Sequence, residues 1–268
     1  MTMGAERILI TGAAGLIGSF LRPRLARPGR TLRLLDVADM GKAESGEEHM
    51  RASVTDLAAL ERACEGVDAI VHLGGLASEA PWNDIADVNI HGTYNVYEAA
   101  RRTGVGRVVF ASSNHAVGFH PTDDAPVPDY RFPAPDTYYG VSKVTGEALG
   151  SLYHSRYGLD VIAIRILTCE ERPPDLRSLA TWLSPGDAAR LFEAALSVPS
   201  PGFRVVWGVS ANTRAWFSLD EARAIGYEPE DDAEPYAAEL TERFGPLDPE
   251  SPEGRWLGGR FCGPDYDA

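Results

Sequence analysis

Along the first 168 residues, short apolar runs alternate with longer stretches in which apolar residues recur near helical spacing. That alternation predicts a parallel sheet covered on both faces by helices. Arg7–Thr11, Thr31–Asp36, Ala69–Leu73, Arg107–Ala111 and Val161–Leu167 read as strands, with helices at Leu16–Arg27, Leu57–Cys64, Asn89–Thr103 and Tyr139–Tyr157. After Thr168 the pattern loosens. Pro173-Pro174 breaks the chain, Pro185–Leu196 reads as a helix, Arg204–Trp207 as a strand and Glu221–Gly226 as a short helix. Acidic Glu228–Glu234 reads as a solvated loop, and the tail beyond Pro246 is rich in Gly, Pro and Asp. The expected fold is α/β, a doubly wound parallel sheet. Residues 1–168 form its main body, and 169–268 a small cap that adds late strands and helices to the same globular unit.

The chemistry begins at the turn between the first strand and its helix, Thr11-Gly12-Ala13-Ala14-Gly15-Leu16-Ile17-Gly18. Gly12 permits a tight turn, Gly15 lets backbone approach a pyrophosphate, and Gly18 allows close helix–sheet packing. The helix start then offers free N–H groups to phosphates. In this strand–turn–helix setting the glycines predict a dinucleotide-binding Rossmann domain. Asp36, at the end of the second strand, is placed to bind ribose hydroxyls and to repel a 2′-phosphate, which favours NAD over NADP. Arg33 lies within that strand and does not rescue NADP. Asp56, followed by Leu57, reads equally well as a contact to the adenine amino group or as a helix N-cap. Leu73, Gly74 and Gly75 follow the next strand at its carboxyl end, where backbone can come close to the ribose.

Tyr139 and Lys143 stand at i and i+4 on one helix face. A free tyrosine titrates near pH 10, too high for an efficient base. An ammonium and an oxidised nicotinamide beside it would stabilise the phenolate. Ser113, past a strand end, can bind the same substrate oxygen. Tyr138 is spaced i, i+5 from Lys143 and is the poorer candidate. The constellation predicts hydride chemistry on an alcohol or ketone, with Ser113, Tyr139 and Lys143 catalytic.

The net charge of −14 argues against nucleic acid or an anionic membrane as partner. It also means that an anionic substrate needs a local cation. Arg177, after the Pro-Pro break, can supply the bidentate grip that suits a carboxylate, or can pair with Asp175 at the surface. Arg165 sits within a strand and reads as structural. Three cysteines, none in a CxxC pair, fit a reducing cytoplasm. Met1–Arg7 runs into the first strand without a signal peptide, and no apolar run reaches membrane-spanning length. No metal is expected.

These residues resemble the extended short-chain dehydrogenase/reductase superfamily over nearly the whole chain. The resemblance rests on TGAAGLIG at 11–18, Asp36, Asp56, HLGG at 72–75, Asn89, Ser113, Tyr139 and Lys143. Within it, FASSNHAVG at 110–118, YYGVSK at 138–143, Thr168-Cys169, Arg177, ATW at 180–182 and VVWGVSAN at 205–212 are similar to uronate dehydrogenases. The resemblance implies NAD-dependent oxidation of C1 of D-glucuronate or D-galacturonate to an aldarolactone. Tyr139 would be the base and Ser113 would orient the C1 hydroxyl. Asn114 and His115, the latter also readable as a loop or core histidine, would contact sugar hydroxyls. Arg177 would hold the C6 carboxylate. Thr168 stands where the family commonly has Ser, and Ala77 where it has a sugar-binding Ser, leaving Ser78 as the nearby hydroxyl. A homo-oligomer is also implied, through Asn89–Thr103 and Tyr139–Tyr157 with Val96, Ala99, Ala148, Leu149 and Leu152, although those positions could equally pack within one chain. Other sugar dehydrogenases and the sugar-nucleotide epimerases and reductases are the alternative. The short C-terminal part speaks against the nucleotide forms, and retention of Tyr139 and Lys143 against a non-catalytic NAD-binding regulator.

Overall fold

The apolar runs become the interior strands of one sheet. A computed structural model describes residues 6–123, 125–264 and 266; Met1–Ala5, most of the segment read as lacking a signal peptide, lies outside them. The first half runs β1 (Glu6–Thr11), α1 (Leu16–Leu25), β2 (Arg30–Asp36), β3 (Glu47–Arg51), α2 (Leu57–Cys64), β4 (Ala69–His72) and α3 (Trp82–Asp84). A π-helical stretch, Ile85–His91, leads into α4 (Gly92–Thr103), followed by β5 (Arg107–Ser113) and a 3₁₀ turn at Asn114–Val117. Then come α5 (Tyr138–Tyr157), β6 (Asp160–Ile166), β7 (Thr168–Cys169), α6 (Ser178–Thr181), β8 (Trp182–Leu183), α7 (Pro185–Ser197) and β9 (Phe203–Gly208). The chain closes with α8 (Asp220–Ala224), α9 (Ala237–Phe244), α10 (Pro252–Arg255) and a 3₁₀ turn at Gly259–Cys262.

The sheet has seven strands in the order β3-β2-β1-β4-β5-β6-β9, every pair parallel. The order reverses at β1, which lies between β2 and β4. In such a sheet the crevice beyond the carboxyl ends of the strands at that reversal is the ligand site. Side chains alternate across the pleat. Ile8 and Ile10 join the layer with Leu21 and Leu25 of α1 and Leu191 and Phe192 of α7. Leu9 joins the opposite layer with Leu60, Tyr97 and Tyr153 of α2, α4 and α5. Strands buried on both faces read as continuous apolar runs, which is why these were visible in the sequence.

Beyond residue 168, β9 adds to the sheet beside β6, and α7 packs on the same layer as α1. The two-residue strands β7 and β8 pair with each other outside the main sheet. Two features depart from expectation. The edge strand β3 reads Glu-Glu-His-Met-Arg and carries no apolar run. Val96 and Ala99, offered as interface positions, are 1% and 0% exposed and belong to the core. On that face Leu152 is half exposed. No helix among the described residues is long and apolar enough to cross a membrane.

Candidate active site

A cleft of about 890 Å³ opens over the reversal of the strand order and is lined from the glycine loop to the C-terminal turn. Gly12 has φ +71°, and a Cβ there would fall 2.6 Å from the Gly74 nitrogen, so the β1 and β4 loops touch backbone to backbone. A Cβ on Gly18 would lie 2.6 Å from the Ala13 carbonyl oxygen, which lets α1 start directly on the loop. Gly15 is the N-cap of α1 and has no side chain to satisfy the first turn. Helix geometry leaves the N–H groups of Leu16, Ile17 and Gly18 without intrahelical acceptors, and all three residues line the cleft. That is a cradle for a pyrophosphate.

Asp36 also lines the cleft. Its carboxylate accepts the Ala14 N–H at 3.0 Å and the Ala38 N–H at 2.9 Å, which fixes it beside the glycine loop with further lone pairs available to a ribose. Arg33 donates to Glu48 at 2.8 Å and to the Ala63 carbonyl at 2.7 Å, and is thereby engaged elsewhere. The residues present therefore fit NAD. Leu73, Gly74 and Gly75 line the cleft, whereas Asp56 and Leu57 do not. Asp56 caps α2 through the Ala59 N–H at 2.9 Å, so of the two readings open in the sequence its contacts here are those of the N-cap. Asn89 also stands back from the cleft. Its amide accepts from the Leu76 N–H at 2.7 Å and donates to the Leu76 carbonyl at 3.0 Å and to Ser142 at 3.2 Å, clamping the loop after β4.

Tyr139, Lys143 and Glu147 descend one face of α5. Tyr139 is 8% exposed and lines the cleft, while Tyr138 is 44% exposed and lies edge-on to Trp82. Burial pushes the Tyr139 phenol up to about 12, with hydrogen bonding from Ser113 working the other way. Burial lowers Lys143 to about 8, opposed by the Glu147 carboxylate. The Lys143 ammonium donates to the Ala111 carbonyl at 2.8 Å and stands 5.1 Å from the Tyr139 ring centre. Beneath it, Glu147 is held by both arms of Arg165 at 2.9 and 2.8 Å and by Ser112 at 2.6 Å. Glu79, which no local motif marks, accepts the N–H groups of Tyr138 at 3.2 Å and Tyr139 at 2.7 Å. It places a negative charge at the positive end of α5 and ties the loop carrying Ser78 to the tyrosine.

At the far end of the cleft, the end of β5 and the 3₁₀ turn after it deliver Ser113, Asn114 and His115. Ser113 donates to the Asn114 side-chain oxygen at 3.2 Å and accepts the His115 N–H at 3.3 Å. Ala77, Ser78 and Thr168 line the same end, and Thr168 shares a 2.9 Å hydrogen bond with Thr181. Arg260 and Phe261, from the C-terminal turn, complete it. Phe261 packs on His115 with ring centres 4.3 Å apart.

Arg177 is not a lining residue. It lies behind that turn, its guanidinium 5.2 Å from the Trp216 ring centre. Its Nη2 and the Asn114 Nδ2 both donate to the Leu257 carbonyl, the latter at 2.6 Å. The shared acceptor sets the guanidinium next to the Asn114 amide. Asp175 is occupied by Ser178, at 2.8 Å from its N–H and 2.6 Å from its hydroxyl. The Arg177 Nη1 is buried without a hydrogen-bond partner, and burial lowers this guanidinium to about 10. Among the described residues no cluster of His, Cys, Asp and Glu could hold a metal ion.

Residues 8–170 match the NAD dependent epimerase/dehydratase family. Uronate dehydrogenase of Pseudomonas syringae pv. tomato is 42% identical over 259 residues, covering 96% of this chain and 93% of that protein. The structure of a glucuronic acid dehydrogenase from Chromohalobacter salexigens superposes with a TM-score of 0.92 at 42% identity, covering 96% of each chain. A mutant uronate dehydrogenase from Agrobacterium tumefaciens, complexed with NAD, gives 0.92 at 38% identity and covers 98% of each chain. This chain belongs to the NAD dependent epimerase/dehydratase family, within the extended short-chain dehydrogenases/reductases, and is closely related to uronate dehydrogenase.

Proposed function

We propose that this NAD-dependent dehydrogenase oxidises C1 of a hexuronic acid, D-glucuronate or D-galacturonate, to the aldarolactone. The observation that carries the substrate class is the buried, unpartnered Arg177 Nη1 beside the Asn114 amide. Next to the sugar-end Asn114, an unpaired guanidinium nitrogen in a protein of net charge −14 offers a carboxylate a charge-assisted partner. A neutral sugar would leave it unsatisfied, whereas a uronate supplies two oxygens.

When bound, NAD takes up the hydride from C1. Tyr139 removes the C1 hydroxyl proton, and Ser113 donates to the same oxygen as it becomes a carbonyl. Lys143, its charge favoured by Glu147, stabilises the phenolate across the cleft floor. Asn114, His115, Thr168 and Ser78 orient the ring hydroxyls, and Arg177 fixes the opposite end. The segment 1–168 carries the cofactor and most of the sugar-end hydroxyls, and 169–268 closes that end with Arg177 and the C-terminal turn as part of the same unit.

The direct test follows NADH formation from NAD with D-glucuronate, D-galacturonate, D-glucose and D-galactose. The uronates are expected to turn over and the neutral aldoses to lag by at least about tenfold, since a hydrogen bond to a charged group is worth roughly 1.5–3 kcal/mol. Equal rates on the neutral sugars would refute the carboxylate reading.

The α4–α5 face, where Tyr94, Leu152 and Tyr157 are exposed, is where we place self-association. Sedimentation should give at least a dimer; a monomer at assay concentration would rule it out. We place the enzyme in the reducing cytoplasm, where its three unpaired thiols persist.

A further inference from the structure

Behind His115 lies a carboxylate that the reaction as described does not use. The His115 Nδ1 is 2.7 Å from Asp136 Oδ2, and the Asp136 side chain is 0% exposed. Thr137 donates its hydroxyl to the other carboxylate oxygen at 3.0 Å, and the Cys262 thiol stands 3.8 Å from Oδ2. The niche is cut to this side chain. A Cβ at Gly118 would fall 2.0 Å from Oδ2, and one at Gly258 1.9 Å from it. Two glycine backbones thus wall in a buried carboxylate whose lone pair points at one imidazole nitrogen. The His115 ring is pinned on its other sides by Phe261 and by the edge of Tyr139, 5.7 Å away.

We propose that Asp136 is a positioning residue that holds His115 in the Nδ1–H tautomer, so that Nε2 meets the substrate as a hydrogen-bond acceptor. An ionised carboxylate can only accept, so the hydrogen between it and Nδ1 resides on the ring. The opposite nitrogen of a neutral imidazole is then an acceptor. His115 lines the cleft, and such an acceptor reads a sugar hydroxyl donor, not a carbonyl or carboxylate. Asp136 thereby sets the polarity of one contact at the sugar end without touching substrate. The same carboxylate joins three segments, the turn after β5, the start of α5 and the C-terminal turn, so the tautomer is fixed by the closed site as a whole. The part of this assignment that concerns substrate rests on the uronate reading; the tautomer does not.

The test uses the intact chain with ¹⁵N-labelled histidine. Long-range ¹H–¹⁵N spectra of the imidazoles separate the two tautomers, and His115→Gln identifies the His115 signals. The parent protein without sugar is expected to show His115 as Nδ1–H. Finding it as Nε2–H would overturn the proposal, whatever the substrate proves to be. Asp136→Asn, whose amide can donate to Nδ1, is expected to move the ring toward the Nε2–H form. It should raise KM for the uronate at least tenfold while changing the Kd for NAD less than twofold. A moved tautomer with unchanged KM would also overturn the role. Should the variant fail to fold, the parent spectrum alone decides. Absence of uronate turnover in the parent would remove the substrate reading and leave the tautomer result standing.

Discussion

Tyr139→Phe is expected to lower kcat by about 10²–10⁴-fold, the usual worth of a positioned general base, with NAD affinity nearly unchanged. Burial pushes this phenol up to about 12, so its phenolate depends on neighbouring positive charge, and the chain supplies that charge at Lys143. Phenylalanine keeps the ring that packs against His115 and lies under the Lys143 ammonium, so the loss reports the missing oxygen alone. The measurement is steady-state NADH formation beside cofactor binding by fluorescence quenching. Retention of a tenth or more of kcat would show that another group takes the proton.

Arg177→Ala comes second in size. It should cut kcat/KM for uronates about 10–100-fold, the equivalent of roughly 1.5–3 kcal/mol for one charge-assisted hydrogen bond, while neutral aldoses change little. The ratio of the two substrate classes is the informative quantity. The guanidinium also packs on Trp216 and holds the Leu257 carbonyl, so any loss shared by both substrate classes reports the turn and not the carboxylate. Arg177→Lys keeps a charge but not the planar fork and should fall between parent and Ala. A uronate-to-aldose ratio that stays constant across all three proteins would place the carboxylate elsewhere, Arg260 on the cleft wall being the next guanidinium to change.

How far the sequence revealed these features depended on how local each one is. The central strands announced themselves because both faces are covered, and the glycine loop because Gly12 and Gly18 meet backbone that no side chain could accommodate. Tyr139 and Lys143 were legible from helical spacing taken together with the glycine loop and Ser113 at a strand end. The edge strand β3 was not, since Glu47 and Glu48 serve as partners for Arg22 and Arg33 in place of an apolar face. Asp56 had two local readings, and the cap contact to Ala59 becomes visible only with the backbone in place. Arg177 and Asn114 meet at Leu257, 80 and 143 positions further along the chain, so no spacing rule reaches them. Glu79 and Asp136 carry no motif. Their meaning comes from what the fold brings against them, the start of α5 for one and an imidazole between two glycines for the other.

The Leu257 carbonyl has a practical consequence. It satisfies one arm of Arg177, while the other arm is buried without a hydrogen-bond partner. That arm lies behind the C-terminal turn and is buried, so only a carboxylate seated at the Asn114 end of the cleft comes near it. A small carboxylate such as acetate is therefore expected to compete with the uronate only by entering the cleft, which titrating it at fixed pH and ionic strength would show as a raised apparent KM.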